Sequence, residues 1–383
     1  MRIAKLESWI VRIPYRHDEL SALVARSGVS DVLVKLTTDD GLVGWGECTR
    51  AADVAGIESA VRAMASIVLG RDPWQREAIR QDVSIAGGWQ FQVMTGNFAY
   101  AGIDMALWDL CARAAGQPLC NLLGGAVRDT VEYYNYLHWD TPEGIAAQGR
   151  AGRAAGYRVY YLKVGLDARA EEAMLVALRE AIGPEGLIRL DANQAWTVPE
   201  AVRNLRRWHE LVGLDFVEAP VPIHPESLML DVKHRQPVPL CANEGMWTVQ
   251  DATRVIQSRC GDYLCFSPYW VGGIGAFMQL CALSAHYGWQ VCKHTHGELG
   301  LTAALGQHLM LAVPNASIGH QQTAQIMADD ILVDPLPIAS GPHWGRPEGA
   351  GLGVTVDEDK VAAFHEDYRR HGEHPVYGDR FGT

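Results

Sequence analysis

Three short stretches of the chain share one pattern. Leu190-Asp191-Ala192-Asn193-Gln194, Phe216-Val217-Glu218-Ala219-Pro220 and Leu240-Cys241-Ala242-Asn243-Glu244 each run apolar residues straight into a carboxylate, followed by a loop or helix-start signal. The acids recur at roughly 25–30 residues, about one strand-plus-helix unit. That recurrence predicts that Asp191, Glu218 and Glu244 end three consecutive parallel strands of a barrel, at the face where barrel enzymes carry their chemistry. Three hard oxygen donors converging there suit Mg²⁺, whose other octahedral positions stay open to water and substrate. Any one of them alone reads equally as a strand-terminal acid in its own salt bridge. Their shared register favours the metal.

The rest of the chain divides around this repeat. At 383 residues it is long enough for a barrel and a second domain. Residues 1–125 lack the barrel repeat. Val32–Leu36, the Asp39-Asp40-Gly41 turn and Leu42–Glu47 read as a hairpin, and apolar residues recur at helical spacing over Ile57–Leu69 and Tyr100–Ala114. The Gly44-Trp45-Gly46 pair reads as close strand packing, because no phosphate-binding strand-to-helix fingerprint follows. Over 126–339 strand and helix patterns alternate, which implies a parallel sheet with crossover helices. The expected strands are Val131–Leu137, Val159–Gly165, Leu187–Asn193, Asp215–Pro220, Pro239–Glu244, Tyr263–Ser267, Gln290–His296 and Ser317–Gln321. Eight strands predict a (β/α)₈ barrel, with seven and eight hard to separate by pattern. A Gly/Pro-rich return over Gly341–Gly353 and a tail helix near Asp359–Arg369 close the chain.

Composition narrows the partners. A net charge of −12 argues against nucleic acid and anionic membrane, and no apolar run reaches membrane-spanning length. Eight cysteines without a Cys-x-x-Cys pair suggest reduced thiols in a cytoplasmic protein.

Two more strand ends carry candidate chemistry. Tyr161 and Lys163, two apart in Tyr161-Leu162-Lys163, face the same way into the barrel. A lysine buried beside a divalent metal is a candidate base, although a cation snorkelling from the barrel mouth fits the same pattern. His294 and His296, in Val291-Cys292-Lys293-His294-Thr295-His296, also share a side. His294 is a candidate acid or base near neutral pH. A metal ringed by carboxylates, with proton-transfer groups on both sides, suits removal of the weakly acidic proton next to a carboxylate, through an enediolate.

These motifs resemble the enolase superfamily, and within it the mandelate racemase subgroup, over nearly the whole chain. The resemblance rests on Val43-Gly44-Trp45-Gly46-Glu47, Ala106-Leu107-Trp108-Asp109, Leu122-Leu123-Gly124-Gly125, the Asp191 and Glu218 stretches, Val271-Gly272-Gly273 and Gly351-Leu352-Gly353-Val354. It implies a modified (β/α)₇β barrel at 126–339 and an α+β cap formed by 1–125 and completed by about 340–383. It further implies one Mg²⁺ per chain on Asp191, Glu218 and Glu244, with cap loops within 15–30 and 49–56 choosing a small carboxylate substrate, and a homo-oligomer. Departures stand beside the matches. The subgroup's Lys-x-Lys becomes Tyr161-x-Lys163, and its sixth-strand aspartate becomes Ser267. A glutamate at the eighth strand end is replaced near His320, while Asn193 keeps its supporting place. The expected reaction is dehydration of a sugar acid to a 2-keto-3-deoxy acid, with Lys163 and His294 sharing the proton transfers. The alternatives are a racemase or epimerase, a lactone cycloisomerase, and a metal-binding barrel that has lost its chemistry.

Overall fold

The computed structural model describes residues 1–49, 53–87 and 93–375. The N-terminal region is an antiparallel sheet, β1 (Ile3–Leu20), β2 (Ala25–Thr38) and β3 (Val43–Cys48), followed by α1 (Val54–Val68), α2 (Arg76–Gly87), α3 (Val93–Ala114) and the short α4 (Leu119–Leu122). The expected hairpin is β2–β3, with Val32 opposite Cys48 and Thr37 opposite Val43. Gly44 and Gly46 are there for contact: a Cβ on Gly46 would collide with the Gly102 backbone of α3, and one on Gly44 with the Ala106 carbonyl.

The barrel follows as β4 (Thr130–Glu132), β5 (Asn135–Leu137), α5 (Pro142–Ala154), β6 (Val159–Lys163), α6 (Ala168–Ile182), β7 (Leu187–Asp191), α7 (Val198–Val212), β8 (Leu214–Glu218), α8 (Ser227–Arg235), β9 (Leu240–Ala242), α9 (Val249–Ser258), β10 (Tyr263–Phe266), α10 (Ile274–His286), β11 (Gln290–Lys293) and α11 (Gly300–Ala312). Strands β5 to β11 form one parallel sheet in sequence order. The helices start where the sequence offers caps. Asp167 accepts from Arg169 N and Ala170 N at α6, Thr248 accepts from Asp251 N at α9, and the Glu200 carboxylate reaches back 2.8 Å to Thr197 N at α7.

Two expected strands differ from the reading above. Val131–Leu137 is split: β4 turns away to pair antiparallel with β12 (His343–Gly345), and only β5 joins the barrel. The segment 317–321 is too irregular to form a strand, yet it closes the ring. Ser317 N and Gln321 N donate to Val291 O and Lys293 O of β11 at 2.8 and 3.0 Å. On its other side His320 N donates to Glu132 O, and Tyr134 N to His320 O, at 2.9 and 3.1 Å. The barrel therefore has seven regular strands and a hydrogen-bonded eighth position. A last helix, α12 (Glu358–His371), packs against β1. Among the described residues no helix is long and apolar enough to cross a membrane.

Buried polar groups tie the N-terminal sheet and its helices to the barrel. Glu47, fully buried at the end of β3, accepts from Leu299 N and Thr302 N at the start of α11, at 2.8 and 3.0 Å. Burial pushes its carboxyl up to about 8. On α11, His308 Nδ1 accepts from Cys120 N at 3.2 Å and its Nε2–H donates to Leu352 O at 3.1 Å. Only the neutral ring does both, and burial holds its pKa near 4, below the ordinary 6.5. The unfolded chain therefore takes up this proton first, and stability falls as pH drops from about 6.5 towards 4. The expected loss is about 3 kcal/mol. Urea midpoints measured across that range should fall more steeply for the wild type than for His308→Gln.

Candidate active site

The strand ends form a ring because residues two apart on a strand share a face. Tyr161 and Lys163, Arg189 and Asp191, and Phe216 and Glu218 are three such pairs, and Asp191 lies opposite Lys163 on one side and Glu218 on the other. Glu244 lies two residues beyond β9, not within a strand as the sequence suggested. Directly after the acids the chain bends hard. Asn193, Gln194 and Ala219 hold φ of 43°, 63° and 40°, a left-handed conformation costly for side-chain-bearing residues and frequent at functional sites.

Asn193 links two of the three acids. Its Nδ2 donates to Asp191 Oδ2 at 3.0 Å and to Glu244 Oε1 at 2.7 Å, and its N donates to Asp191 Oδ1 at 2.8 Å. The Tyr161 hydroxyl donates to Asp191 Oδ2 at 2.6 Å. The phenol that replaces the first lysine of the subgroup's Lys-x-Lys is thus bonded to Asp191. Glu218 Oε2 accepts from Gln321 Nε2 at 2.6 Å. Burial, then the Asp191 charge, pushes Glu244 up to about 7, and burial with Asp191 and Glu244 nearby raises Glu218 well above the carboxylate range. Glu244 Oε2 is buried without a hydrogen-bond partner. The three acids are not drawn tightly together. Among the described residues, the ligating atoms that come within 4.8 Å of one another are those of Glu218, Cys241 and Cys265. Desolvated carboxylates facing one another across a site still repel, and a cation between them is what would offset that cost.

Lys163 Nζ donates to Asp191 Oδ2 at 2.9 Å and Asn193 Oδ1 at 3.1 Å, with Glu19 Oε1 at 3.9 Å. Burial favours its neutral form, but Asp191, Glu19 and Glu218 outweigh burial and hold the ammonium above its ordinary value. His294, on the loop leaving β11, is held neutral: burial, then His296 and Lys163, depress it well below the usual range. Its Nδ1 meets the Tyr269 hydroxyl at 3.2 Å and Ser267 Oγ at 3.4 Å, and its ring packs on Trp270 at 4.3 Å. Ser267 spends its proton on His294 O at 2.9 Å, which leaves Tyr269 as the donor facing Nδ1.

A cavity of about 480 Å³ joins these groups. Lys163, Asn193, Glu244, His294 and His296 line its barrel side, and Glu19, Leu23, Val24, Arg26 and Met94 its other side. His296 is 5.9 Å from the His294 ring and meets Arg26 Nη2 at 3.4 Å. Glu19 accepts from the Tyr136 hydroxyl at 2.7 Å. These two side chains fall inside the 15–30 stretch expected to choose substrate; part of the other stretch, 50–52, lies outside the described residues. His320, expected to bind substrate or to support the residues that do, does not line the cavity. It is buried one layer down, its Nδ1 accepting from Lys293 N at 3.0 Å, and Gln321 lines the cavity instead. Gly319 turns the chain at φ 66°, which shifts the closing segment by one residue against the strand pattern. Tyr269, Gln321, Glu19 and Arg26 were not singled out from sequence. The first lies in a loop, and the second is one position from the residue expected.

A seven-stranded parallel barrel under an antiparallel sheet, with carboxylates at successive strand ends, defines a class of barrel enzyme. Residues 10–124 match the family described as mandelate racemase/muconate lactonizing enzyme, N-terminal domain, and 144–360 the family described as enolase C-terminal domain-like. The chain belongs to the mandelate racemase branch of the enolase superfamily, whose relatives found here are lyases and isomerases. It is 31% identical to the L-Ala-D/L-Glu epimerase of Bacillus subtilis, covering 92% of this chain and 97% of that protein. It is 29% identical to a D-galactonate dehydratase family member of Streptomyces bingchenggensis, covering 90% and 92%. An enolase from Thermobispora bispora, solved with magnesium and formate, superposes with a TM-score of 0.90 at 28% identity, over 100% of this chain and 97% of that one.

Proposed function

We propose that the protein is a Mg²⁺-dependent dehydratase of a hydroxylated carboxylic acid of the sugar-acid class, with Asp191, Glu218 and Glu244 as ligands of one cation per chain. The donor set fits a hard cation: three carboxylates, two of them with raised pKa, and one buried oxygen without a partner. A divalent cation held by these acids would stabilise charge developing on the substrate carboxylate and would offset the acids' field at Lys163. Burial then favours the free amine, and Lys163 takes the α-proton. Tyr161 and Asn193 hold Asp191 in place for this.

One observation carries the choice of elimination. His294 Nδ1 faces hydroxyls and no carboxylate. With Tyr269 donating to Nδ1, the neutral ring carries its own proton on Nε2 and has no free lone pair there to remove one from carbon. As the hydroxide departs it takes the Nε2 proton while the Tyr269 proton passes to Nδ1, so the ring stays neutral and the Tyr269 oxygen is reprotonated before the next turnover. Tyr269→Phe tests this: dehydration should fall by about 10–100-fold, the usual cost of losing an orienting partner. Exchange of the α-proton with deuterated water, the work of Lys163, should continue. Equal loss of both would contradict the assignment. A second reading, epimerisation of an acid with an apolar substituent, draws support from the Leu23, Met94, Trp247 and Trp270 side chains in the cavity wall. A 2-keto acid product supports elimination, and α-deuterium with inversion supports epimerisation.

A further inference from the structure

Beneath the acids, three neighbouring barrel strands each turn a thiol inward. Cys241 on β9, Cys265 on β10 and Cys292 on β11 are buried and free. Cys265 and Cys292 are opposite one another in register, and pairing of Leu264 with Ala242 brings Cys265 alongside β9. Barrel interiors are ordinarily filled by branched aliphatic side chains. Here the three thiols pack with Phe216 in a small cluster separate from the main core. Glu218, opposite Cys241 on β8, completes the arrangement: one of its oxygens and the Sγ atoms of Cys241 and Cys265 lie within 4.8 Å of one another. Cys292 lies outside that group of three; its thiol faces Cys265, its partner in register, and His320. Because His320 Nδ1 accepts from Lys293 N, its Nε2–H is left for Cys292.

We propose that Cys241 and Cys265, with one Glu218 oxygen, form a second cation site, selective for a thiophilic ion of the Zn²⁺ or Cd²⁺ type, with Cys292 beside Cys265 as the reserve for a fourth donor. Two sulfurs and one oxygen are already gathered, and a fourth donor, from Cys292 or water, completes the tetrahedral set such ions take. Thiolates select against Mg²⁺ as strongly as clustered carboxylates select for it. Glu218 belongs to both sets, so an ion seated among the thiols draws it away from the acids above. This coupling, unlike the thiol site itself, rests on the reading of Glu218 as a Mg²⁺ ligand. Two cavity-lining residues stand between the cavity and this group of donors: Gln321 donates to Glu218 Oε2 at 2.6 Å and Asn243 to Cys265 O at 2.9 Å.

The test is a cadmium titration of the reduced full-length protein, followed by the ultraviolet thiolate-to-cadmium charge-transfer band. One Cd²⁺ per chain is expected. The band should vanish in Cys265→Ser and in Cys241→Ala, weaken in Cys292→Ala, and persist in Cys281→Ser, a buried cysteine on α10. Circular dichroism and thermal unfolding establish that each variant is folded. No band in the wild type, or a band of full strength in folded Cys265→Ser, overturns the site. Saturating magnesium should shift the wild-type titration to higher cadmium. A titration indifferent to magnesium overturns the sharing of Glu218. Magnesium binding, measured separately by calorimetry without cadmium, then shows whether the reading of the acids has failed as well.

Discussion

Replacing Lys163 by methionine lowers kcat/KM by about 10²–10⁴-fold, the range expected for a general base that touches the reacting proton. Methionine keeps the stem's apolar volume in a site where the lysine side chain is only 14% exposed. Loss of packing therefore cannot account for the effect. The same change removes the ammonium that pairs with Asp191 at 2.9 Å, so magnesium affinity should hold or rise as a cation is withdrawn from the acids. Steady-state kinetics together with calorimetric magnesium titration separate the two effects. A variant with full activity would remove Lys163 from the chemistry, and one that lost activity only through weaker magnesium binding would reassign it to the metal.

Glu244→Gln is expected to act in opposite directions on stability and activity. Activity falls by about 10³-fold, because the bound cation contributes several kcal/mol to the transition state and a carbonyl replaces a charged ligand. The metal-free protein, by contrast, gains about 1–3 kcal/mol of stability at neutral pH. The sign follows from the folded pKa near 7 against an ordinary 4.5. The native state binds the proton more tightly than the unfolded chain, so this carboxylate costs stability progressively as pH rises from about 4.5 to 7. Glutamine removes the charge while leaving an acceptor for Asn193 Nδ2. Urea unfolding in chelator at pH 7.5 and at pH 4.5 checks this: the variant's advantage should exist at the higher pH and vanish at the lower. Such a trade, stability given up to hold like charges together, is common at functional sites.

The parts of the site that were legible in sequence are those set by one-dimensional periodicity. Asp191 and Glu218 end β7 and β8, and Lys163 ends β6, because a strand-helix repeat places them there. Tyr161 shares the Lys163 face because alternation has a period of two. Where a strand is short or broken, this reasoning loses its phase. The closing segment 317–321 has no regular strand geometry, and a one-residue offset exchanges His320 for Gln321 at the cavity. Likewise β9 ends at Ala242, so Glu244 reaches the site from the loop beyond the strand, just before the turn at Gly245 (φ 101°), and not by strand continuation. Contacts made between distant parts of the chain left no local pattern to read. Tyr269 takes up the histidine that lacks an aspartate from a loop after β10, and Glu19 meets Tyr136 across a sequence separation of 117. The thiol cluster was likewise unreadable as a cluster: its cysteines are separated by whole helices, and only barrel register brings them together.

The central claim, that these acids gather a cation which makes the neighbouring C–H bond breakable, is tested most directly by deuterium exchange. Proton NMR would follow the α-carbon of a panel of sugar acids, hydroxy acids and amino-acid derivatives in deuterated water. With magnesium, at least one acid should exchange its α-proton, and exchange should stop after exhaustive chelation and return when magnesium is restored. Exchange or turnover that survives complete removal of divalent cations would contradict the account.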